Sequence, residues 1–294
     1  FVAVLAREAS QSNKEVHALQ AQVAQLEGEL AVLEGHGRPN VTTDFSAEVN
    51  LPVIKESAYL DPLASVLGEV IVGSDVYVAP FASIRGDEGQ PINIGDETNV
   101  QDGVVVHALE TQSHGKAVPN RTYEVNGKPY AVYIGRRVSL AHQSQVHGPA
   151  RIDDDVFIGM QALVFKSWIG HNSVVEPGAK VIGVTIPPNH YVPAGMVVTD
   201  AATAARLPEI TEDYGFKGLN EAVVHVNTSF AHGYDAAAHP EAAAPEGGHA
   251  PATAAAKPPA PEVLARARDT ADGVQDEGLR KALETLAQNI LTRR

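Results

Sequence analysis

Two histidines lie five residues apart within residues 134–148, and a third, His107, lies upstream of them. His107 and His147 each directly follow an aliphatic residue, and His142 is the second residue after one. Histidine is the commonest metal ligand in proteins, and three neutral imidazoles with an open fourth position are typical of a catalytic zinc site. We therefore predict that His107, His142 and His147 bind one metal ion. The alternative is a surface ladder of solvated histidines.

The residues that position these histidines follow a six-residue repeat. Branched aliphatic residues occupy Leu60, Val66, Val72, Val78, Ile84, Ile94, Val100, Val106, Ile134, Leu140, Val146, Ile152, Ile158, Val164, Ile169, Val175 and Val181. Two insertions, around residues 89–91 and 109–132, interrupt the period, which ends after Pro193. Neither an α-helix nor a hairpin meander has this period. It predicts a mainly β protein, a parallel β-helix in which three hexads form one triangular coil around the aliphatic residues.

The repeat also predicts where each histidine lies. If the long insertion leaves and rejoins the β-helix without skipping a face, His107 and His147 stack on one face, about 5 Å apart. His142 lies on the preceding face and points away from that stack. A threefold homotrimer brings the three together, because His142 of one subunit then meets His107 and His147 of its neighbour.

Composition excludes several other functions. The chain has 294 residues and a formal net charge of -14, which argues against nucleic acid or an anionic membrane surface as a partner. It has no cysteine, so disulfides, thiolate zinc sites and thiol catalysis are excluded, and a zinc ion must be held by histidine or carboxylate.

The N-terminal segment has a different pattern. Apolar residues from Val2 to Leu33 alternate spacings of three and four, which predicts a coiled-coil helix between subunits over residues 1–38. An amphipathic helix packed on its own domain is the alternative. The chain starts at Phe1, and we expect it to continue upstream, with a membrane anchor as one hypothesis. That hypothesis favours an extracytoplasmic location; a cytoplasmic one is the alternative.

The C-terminal part contains three predicted segments. An apolar stripe from Leu219 to Phe230 predicts a helix packed along the β-helix, within a domain spanning residues 45–234. Residues 235–261 are rich in alanine and proline and predict a flexible linker. Residues 262–294 predict an amphipathic helical tail that serves for docking or oligomer contact.

Three stretches, residues 82–89, 99–110 and 139–149, closely resemble the gamma class of carbonic anhydrases, and most of all the archaeal prototype of that class. The similarity runs from about Phe45 to Tyr234. The resemblance implies a left-handed β-helix, a homotrimer and metal sites between subunits. It implies reversible hydration of carbon dioxide to bicarbonate and a proton by a metal-bound hydroxide.

The resemblance also implies roles at the metal. His107, His142 and His147 are the expected ligands of Zn²⁺, with Fe²⁺ or Co²⁺ as alternative metals. Gln101 is expected to hydrogen-bond the metal-bound hydroxide, and Asn99 is its companion.

Further roles concern protons, substrate and subunit contact. Glu88 matches a carboxylate close to the metal that moves protons within the site, and Glu110 matches an outer proton shuttle. Asn227 matches a residue proposed to polarise carbon dioxide. Residues 112–117 depart from the acidic loop of the prototype, and His114 in that loop is a candidate substitute shuttle. The resemblance also implies a charged cluster at the subunit interface, made of Arg85, Asp87 and Asp102.

Two functions of other classes remain as alternatives. A non-catalytic scaffold of the same family tolerates the loss of a ligand or of Gln101, and here all are present. An acyltransferase uses the same β-helix with one catalytic histidine and needs no triad.

Overall fold

The computed structural model describes residues 37–238, which form a parallel β-helix. Twenty-one short strands, numbered here in chain order, wind around three faces. Face one consists of β1 (Val53–Ile54), β4 (Val70–Val72), β7 (Ile92–Ile94), β14 (Val132–Ile134), β17 (Ala150–Ile152), β20 (Trp168–Ile169) and β23 (Thr185–Ile186). Face two consists of β2 (Tyr59–Leu60), β5 (Tyr77–Val78), β8 (Asn99–Val100), β15 (Ser139–Leu140), β18 (Phe157–Ile158), β21 (Val174–Val175) and β24 (Tyr191–Val192). Face three consists of β3 (Ser65–Gly68), β6 (Ser83–Gly86), β9 (Val105–His107), β16 (Gln145–His147), β19 (Leu163–Phe165), β22 (Lys180–Ile182) and β25 (Val197–Val198).

The aliphatic column forms the core, as the six-residue period predicted. Every predicted inward position from Leu60 to Val181 is buried. The core is continuous because residues at equivalent positions of successive coils pair in register, for example Ile134 with Ile94 and Ile152. The predicted fold class, a β-helix consistent with a left-handed coil and carrying a C-terminal packing helix, is therefore confirmed.

The predicted end of the repeat at Pro193 was wrong. A second five-residue step leads from Val181 to Ile186, and the core then continues at Val192 and Val198, both fully buried. Pro193 lies in the turn between β24 and β25, so it shapes a corner instead of ending the repeat. This last strand completes face three.

The long insertion leaves the β-helix after β9 on face three and returns as β14 on face one, which is the next face in order. It contains two antiparallel hairpins. They are built from β10 (Gln112–Ser113) with β11 (Lys116–Ala117), and β12 (Tyr123–Val125) with β13 (Lys128–Tyr130). Asn126 and Gly127 join the second pair, with φ of 51° and 75°, the backbone that a two-residue hairpin turn requires. No face is skipped, so the condition for stacking His107 on His147 is met.

Two helices follow the β-helix. A single turn, α1 (Ala201–Ala204), begins where the Asp200 carboxylate accepts a hydrogen bond from the Thr203 N–H at 2.8 Å. The second helix, α2 (Leu219–Ala238), packs against face two, as the apolar stripe predicted, and extends four residues beyond Tyr234. Neither helix in this part of the chain has the length and apolar composition needed to cross a bilayer. The predicted coiled coil over residues 1–38 and the tail over 262–294 lie outside the described residues, except for residues 37 and 38, and so does the linker from residue 239 onward.

Candidate functional site

His107 and His147 form an in-register pair on face three. They are direct partners in neighbouring strands β9 and β16, so their ring centroids lie 5.1 Å apart. This is the spacing of adjacent strands, and it confirms the predicted stack. The Nδ1 of His107 lies 3.3 Å from the Nε2 of His147.

The hydrogen bonds of this pair determine which ring nitrogen carries a proton. The Nδ1 of His147 lies 3.2 Å from the carbonyl oxygen of Gly148, and a carbonyl can only accept, so this Nδ1 donates. In the neutral ring the Nε2 of His147 therefore carries a lone pair, which can either accept a hydrogen bond from the Nδ1 of His107 or bind a metal ion. When the Nδ1 of His107 donates, its Nε2 keeps a free lone pair, and this atom is buried without a hydrogen-bond partner.

Two carboxylates face that lone pair. The Nε2 of His107 lies 3.2 Å from Glu88 Oε1 and 3.9 Å from Asp87 Oδ1. Asp87 Oδ1 and Glu88 Oε2 are also buried without hydrogen-bond partners. Facing lone pairs repel each other unless a proton or a cation lies near them. The chemistry of these donors, an imidazole nitrogen and carboxylate oxygens, therefore fits a metal ion.

His142 lies at the corner between faces two and three, apart from this pair. Its side chain is 55% exposed, and its Nδ1 lies 2.9 Å from Asp102 Oδ2. Within residues 37–238, the one group of three metal-ligand side chains whose donor atoms approach within 4.8 Å is Asp87, Glu88 and His107. A single chain therefore does not gather the three predicted ligands, in agreement with the prediction that His142 points away from the stack.

The contact between His142 and Asp102 follows from the repeat. The two residues occupy equivalent corner positions in neighbouring coils, and the backbone N–H of Gln143 donates to the carbonyl of Asp102 at 2.9 Å. A carboxylate accepts only, so the Nδ1 of His142 carries its proton and the Nε2 has a free lone pair. Asp102 thus orients His142, whereas Arg85 pairs with Asp87, its Nη2 lying 3.0 Å from Asp87 Oδ2. Within one chain, the three predicted interface charges form two separate contacts.

Gln101 is held by a buried chain of amides. Its Nε2 donates to the Oδ1 of Asn99 at 2.9 Å, and the Nδ2 of Asn99 donates to the hydroxyl of Ser139 at 2.9 Å. All three residues are buried. The amide oxygen of Gln101 is left as the free acceptor. The hydrogen bond between Asn99 and Gln101 agrees with the predicted role of Asn99 as the partner of Gln101. Ser139 also belongs to this hydrogen-bonded series, and sequence reasoning missed it.

A cavity of about 480 Å³ lies between face two and α2. Gln101, His142 and Asn227 line it together with apolar side chains from both elements. Asn227 is buried, and its Nδ2 donates to the carbonyl of Val223 in its own helix at 2.8 Å, which leaves its amide oxygen uncommitted. The cavity therefore brings these predicted site residues, together with Asp102, around one largely apolar space, which suits a small nonpolar molecule.

The cavity also contains residues that sequence reasoning missed. Burial raises the pKa of Tyr77 to about 12, and Tyr234 and Asp102 add to the shift, so Tyr77 stays neutral at ordinary pH. Glu176 accepts hydrogen bonds from the Tyr214 hydroxyl at 2.9 Å and from the Ala194 N–H at 2.8 Å. Burial, followed by this bond to Glu176, raises the pKa of Tyr214. For Tyr77 and Glu176, the outward position in a hexad of face two was the available signal, whereas Tyr214 lies between the two helices, beyond the repeat.

The two proposed proton carriers lie in neighbouring segments. Glu88 faces His107, and Glu110 lies at the base of the insertion with its Oε1 3.3 Å from Arg121 Nη2. His114 lies in the tight turn of the first hairpin, 81% exposed, with its Nε2 3.7 Å from Asp44. Its partner is therefore an exposed carboxylate, and no hydrogen bond joins it to Glu88 or Glu110.

The fold and these contacts define a hexapeptide-repeat β-helix with an imidazole-rich candidate metal site. No family model matches the chain. The chain is 59% identical over 198 residues to a carbonic anhydrase of Methanosarcina thermophila, covering 67% of this chain and 80% of that protein. It is 37% identical over 204 residues to the carboxysome assembly protein CcmM of Nostoc, covering 69% of this chain but only 35% of that protein. A solved structure described as a putative acetyltransferase of Bacillus cereus shares the fold, with a TM-score of 0.51 and 23% identity over 64% of this chain and 94% of that one.

The chain belongs to the gamma-class carbonic anhydrase family. The recognition from residues 82–89, 99–110 and 139–149 is thereby confirmed.

Proposed function

We propose that the protein catalyses the reversible hydration of carbon dioxide to bicarbonate and a proton, at metal sites shared between the subunits of a homotrimer. The observation that carries this proposal is the in-register pair of His107 and His147, with a buried lone pair on His107. A third imidazole, that of His142, is more than half exposed and is held by Asp102. Membership of the family supports the activity.

The proposed ligands are His107 and His147 of one subunit and His142 of a neighbour. We propose Zn²⁺ as the metal, with Fe²⁺ and Co²⁺ as alternatives, since imidazoles suit all three. When bound, zinc supplies a hydroxide near neutral pH by lowering the pKa of a water molecule to about 7, an effect for which carbonic anhydrase is the standard example.

The residues of the chain then position the substrate and remove the proton. Gln101, fixed by Asn99, offers its amide oxygen as acceptor to the nucleophile, and its rigid support limits the number of orientations. Asn227 lies on the α2 side of the apolar cavity, where the second N–H of its Nδ2 donates to an oxygen of carbon dioxide and polarises it. Attack of the hydroxide oxygen on carbon dioxide forms a carbon–oxygen bond, opens one carbon–oxygen double bond and yields bicarbonate. The water molecule that then replaces the hydroxide releases the proton that must be exported.

Glu88 is proposed to take this proton and Glu110 to pass it to the solvent. The proposal is supported by exposure, because Glu88 is largely buried beside His107 whereas the side chain of Glu110 is 44% exposed to solvent. A general acid or base must lie within hydrogen-bond reach of its partner or one water away. Two carboxylates in succession meet this requirement over a longer path than a single carboxylate can. Arg85, Asp87 and Asp102 are proposed to contact the neighbouring subunit.

A non-catalytic scaffold is the second candidate, and the similarity to the carboxysome assembly protein CcmM favours it. The two candidates differ in one measurement. An enzyme purified as a trimer should contain about one zinc per subunit and hydrate carbon dioxide in a stopped-flow assay with a pH indicator. A zinc-loaded trimer without hydration activity would support the scaffold and refute the enzyme.

The compartment remains a prediction. We propose an extracytoplasmic location, with a cytoplasmic location as the alternative. Fractionation of cells that produce the natural full-length protein, followed by detection with an antibody against the β-helix, tests this.

A further inference from the structure

The carboxylate of Glu110 has one charged partner. Its Oε1 lies 3.3 Å from the Nη2 of Arg121, and within residues 37–238 this is the one ion pair or hydrogen bond recorded for its side chain. Arg121 is the more enclosed partner, with 22% of its side chain exposed against 44% for Glu110. The Nη1 of Arg121 is buried and has no hydrogen-bond partner. The more enclosed guanidinium therefore fixes one side of the ion pair, and the more exposed carboxylate lies against it.

The backbone of this region is fixed separately, through Thr111. This buried residue donates both its N–H, at 2.9 Å, and its hydroxyl, at 2.8 Å, to the carbonyl oxygen of Glu88. Its hydroxyl oxygen accepts the N–H of Gln90 at 2.8 Å. The segment that follows Glu110 is thus tied to the segment that follows Glu88. These bonds fix the Glu110 backbone relative to Glu88 but leave three side-chain torsions free.

We propose that Arg121 is a positioning residue for proton export, which holds the Glu110 carboxylate in one orientation relative to Glu88. This inference rests on the proposed function of Glu110 as the outer proton carrier. A guanidinium stays protonated in proteins, so Arg121 neither accepts nor releases the proton and acts only through Glu110. The proton passes from Glu88 to Glu110 and then to water or buffer, while the charge on Arg121 does not change.

The first hairpin of the insertion returns the chain to Glu110 at Arg121. Arg121 lies between the end of β11 and the start of β12, so the first hairpin carries the chain away from Glu110 and the return brings Arg121 back to it. Asn120, with a φ of 59°, makes the turn just before Arg121. Residues 110–121 therefore form a closed loop whose two ends are joined by the ion pair.

The test compares Arg121→Met with the wild-type trimer, loaded with zinc, in weak and in strong buffer. Small buffer molecules replace a misplaced carrier, so we expect kcat to fall about fivefold in weak buffer and less than about twofold in strong buffer. The ratio kcat/KM should stay unchanged, because the proton is exported after bicarbonate has formed. Arg121→Lys keeps the charge but not the planar fork, and should recover part of the loss.

Arg136→Met is the matched control. Arg136 forms an exposed pair with Asp154, at 3.6 Å, on a corner away from the insertion. This variant loses the same charge and should keep the wild-type kcat in both buffers. Thermal unfolding of each variant checks that the trimer has folded.

The double variant Glu110→Ala with Arg121→Met separates positioning from a structural role. If Arg121 acts through Glu110, adding Arg121→Met to Glu110→Ala changes nothing further. Wild-type kcat in weak buffer for Arg121→Met, an added loss in the double variant, or an equal fall in kcat/KM would each overturn the inference. If Glu110→Ala alone keeps full kcat in weak buffer, the inference fails with the carrier role of Glu110 while hydration itself stands. An inactive zinc-loaded wild type would instead overturn the proposed function.

Discussion

Replacing Asp102 by asparagine should weaken metal binding without unfolding the protein. The carboxylate lies 2.9 Å from the Nδ1 of His142 and can only accept, so it keeps the Nε2 of that histidine unprotonated. An asparagine of the same shape can turn its NH₂ toward Nδ1. The imidazole then carries its proton on Nε2, where it cannot bind a metal ion.

The size of this effect follows from the exposure of the pair. Partners of metal-bound histidines typically contribute 10–100-fold in metal affinity, which is about 1.4–2.7 kcal/mol. Both side chains are more than half exposed in a single chain, so water can replace part of the lost bond, and we expect about tenfold, the low end of that range. Because the contact is an exposed hydrogen bond, it contributes at most about 1 kcal/mol to stability, so the unfolding temperature should fall by no more than about 4 °C.

The assay is a zinc competition titration against a chromophoric chelator, with thermal unfolding of the zinc-free protein in parallel. Asp155→Asn is the control, because Asp155 forms an exposed pair of similar length, 2.8 Å, with Arg137. Asp102→Asn should lose zinc affinity, whereas Asp155→Asn should keep it. Equal zinc affinity in Asp102→Asn and the wild type would refute the idea that Asp102 sets the tautomer of His142. A large fall in thermal stability would show that the contact is structural.

Three further predictions concern the ligands and the core. Each of His107→Ala, His142→Ala and His147→Ala should abolish both zinc content and hydration. A variant that keeps full zinc content and activity would show that the replaced histidine is not a ligand. Mixing His142→Ala chains with His147→Ala chains should restore part of the activity, because one interface of a mixed trimer then collects three intact imidazoles; mixed trimers that stay inactive would mean that the ion is bound within one chain. Ile134 is fully buried between two neighbouring strands, so Ile134→Ala should cost about 2–5 kcal/mol and Ile134→Val about 0.5–1.5 kcal/mol in urea unfolding, and equal midpoints for the two would contradict the packed core.

The sequence could predict the β-helix because a six-residue period leaves few alternatives. The same period predicted that His107 and His147 stack, since a strand partner follows from counting faces. It failed at Pro193, because a proline in a corner and a proline that ends a repeat look alike in one sequence. A five-residue step before Ile186 concealed the continuation.

The side-chain contacts at the site were harder to predict, for a physical reason. They depend on which residues of neighbouring coils are stacked, and the insertion changes the chain separation between coils. The offset from His107 to His147 is 40 residues, and the offset from Asp102 to His142 is also 40. Applying the first offset to the second pair would have found Asp102. A fixed offset cannot predict the contact of Arg121 with Glu110, because that contact depends on the path of an irregular loop.

At the corner where the insertion leaves the β-helix, the length of the loop can vary, whereas the number of coils can change only in whole steps. His107 and His147 are 40 residues apart in the chain but one coil apart in space, because the loop departs and returns at adjacent faces. A longer or shorter loop leaves the two imidazoles in register, whereas one extra coil would separate them by another strand spacing of about 4.8 Å. The tip of the second hairpin, Asn126 and Gly127, is therefore a graft site for tags or reporter domains that leaves the histidine pair intact. An extra coil leaves the histidine pair intact only if it is inserted above or below the two coils that carry the pair.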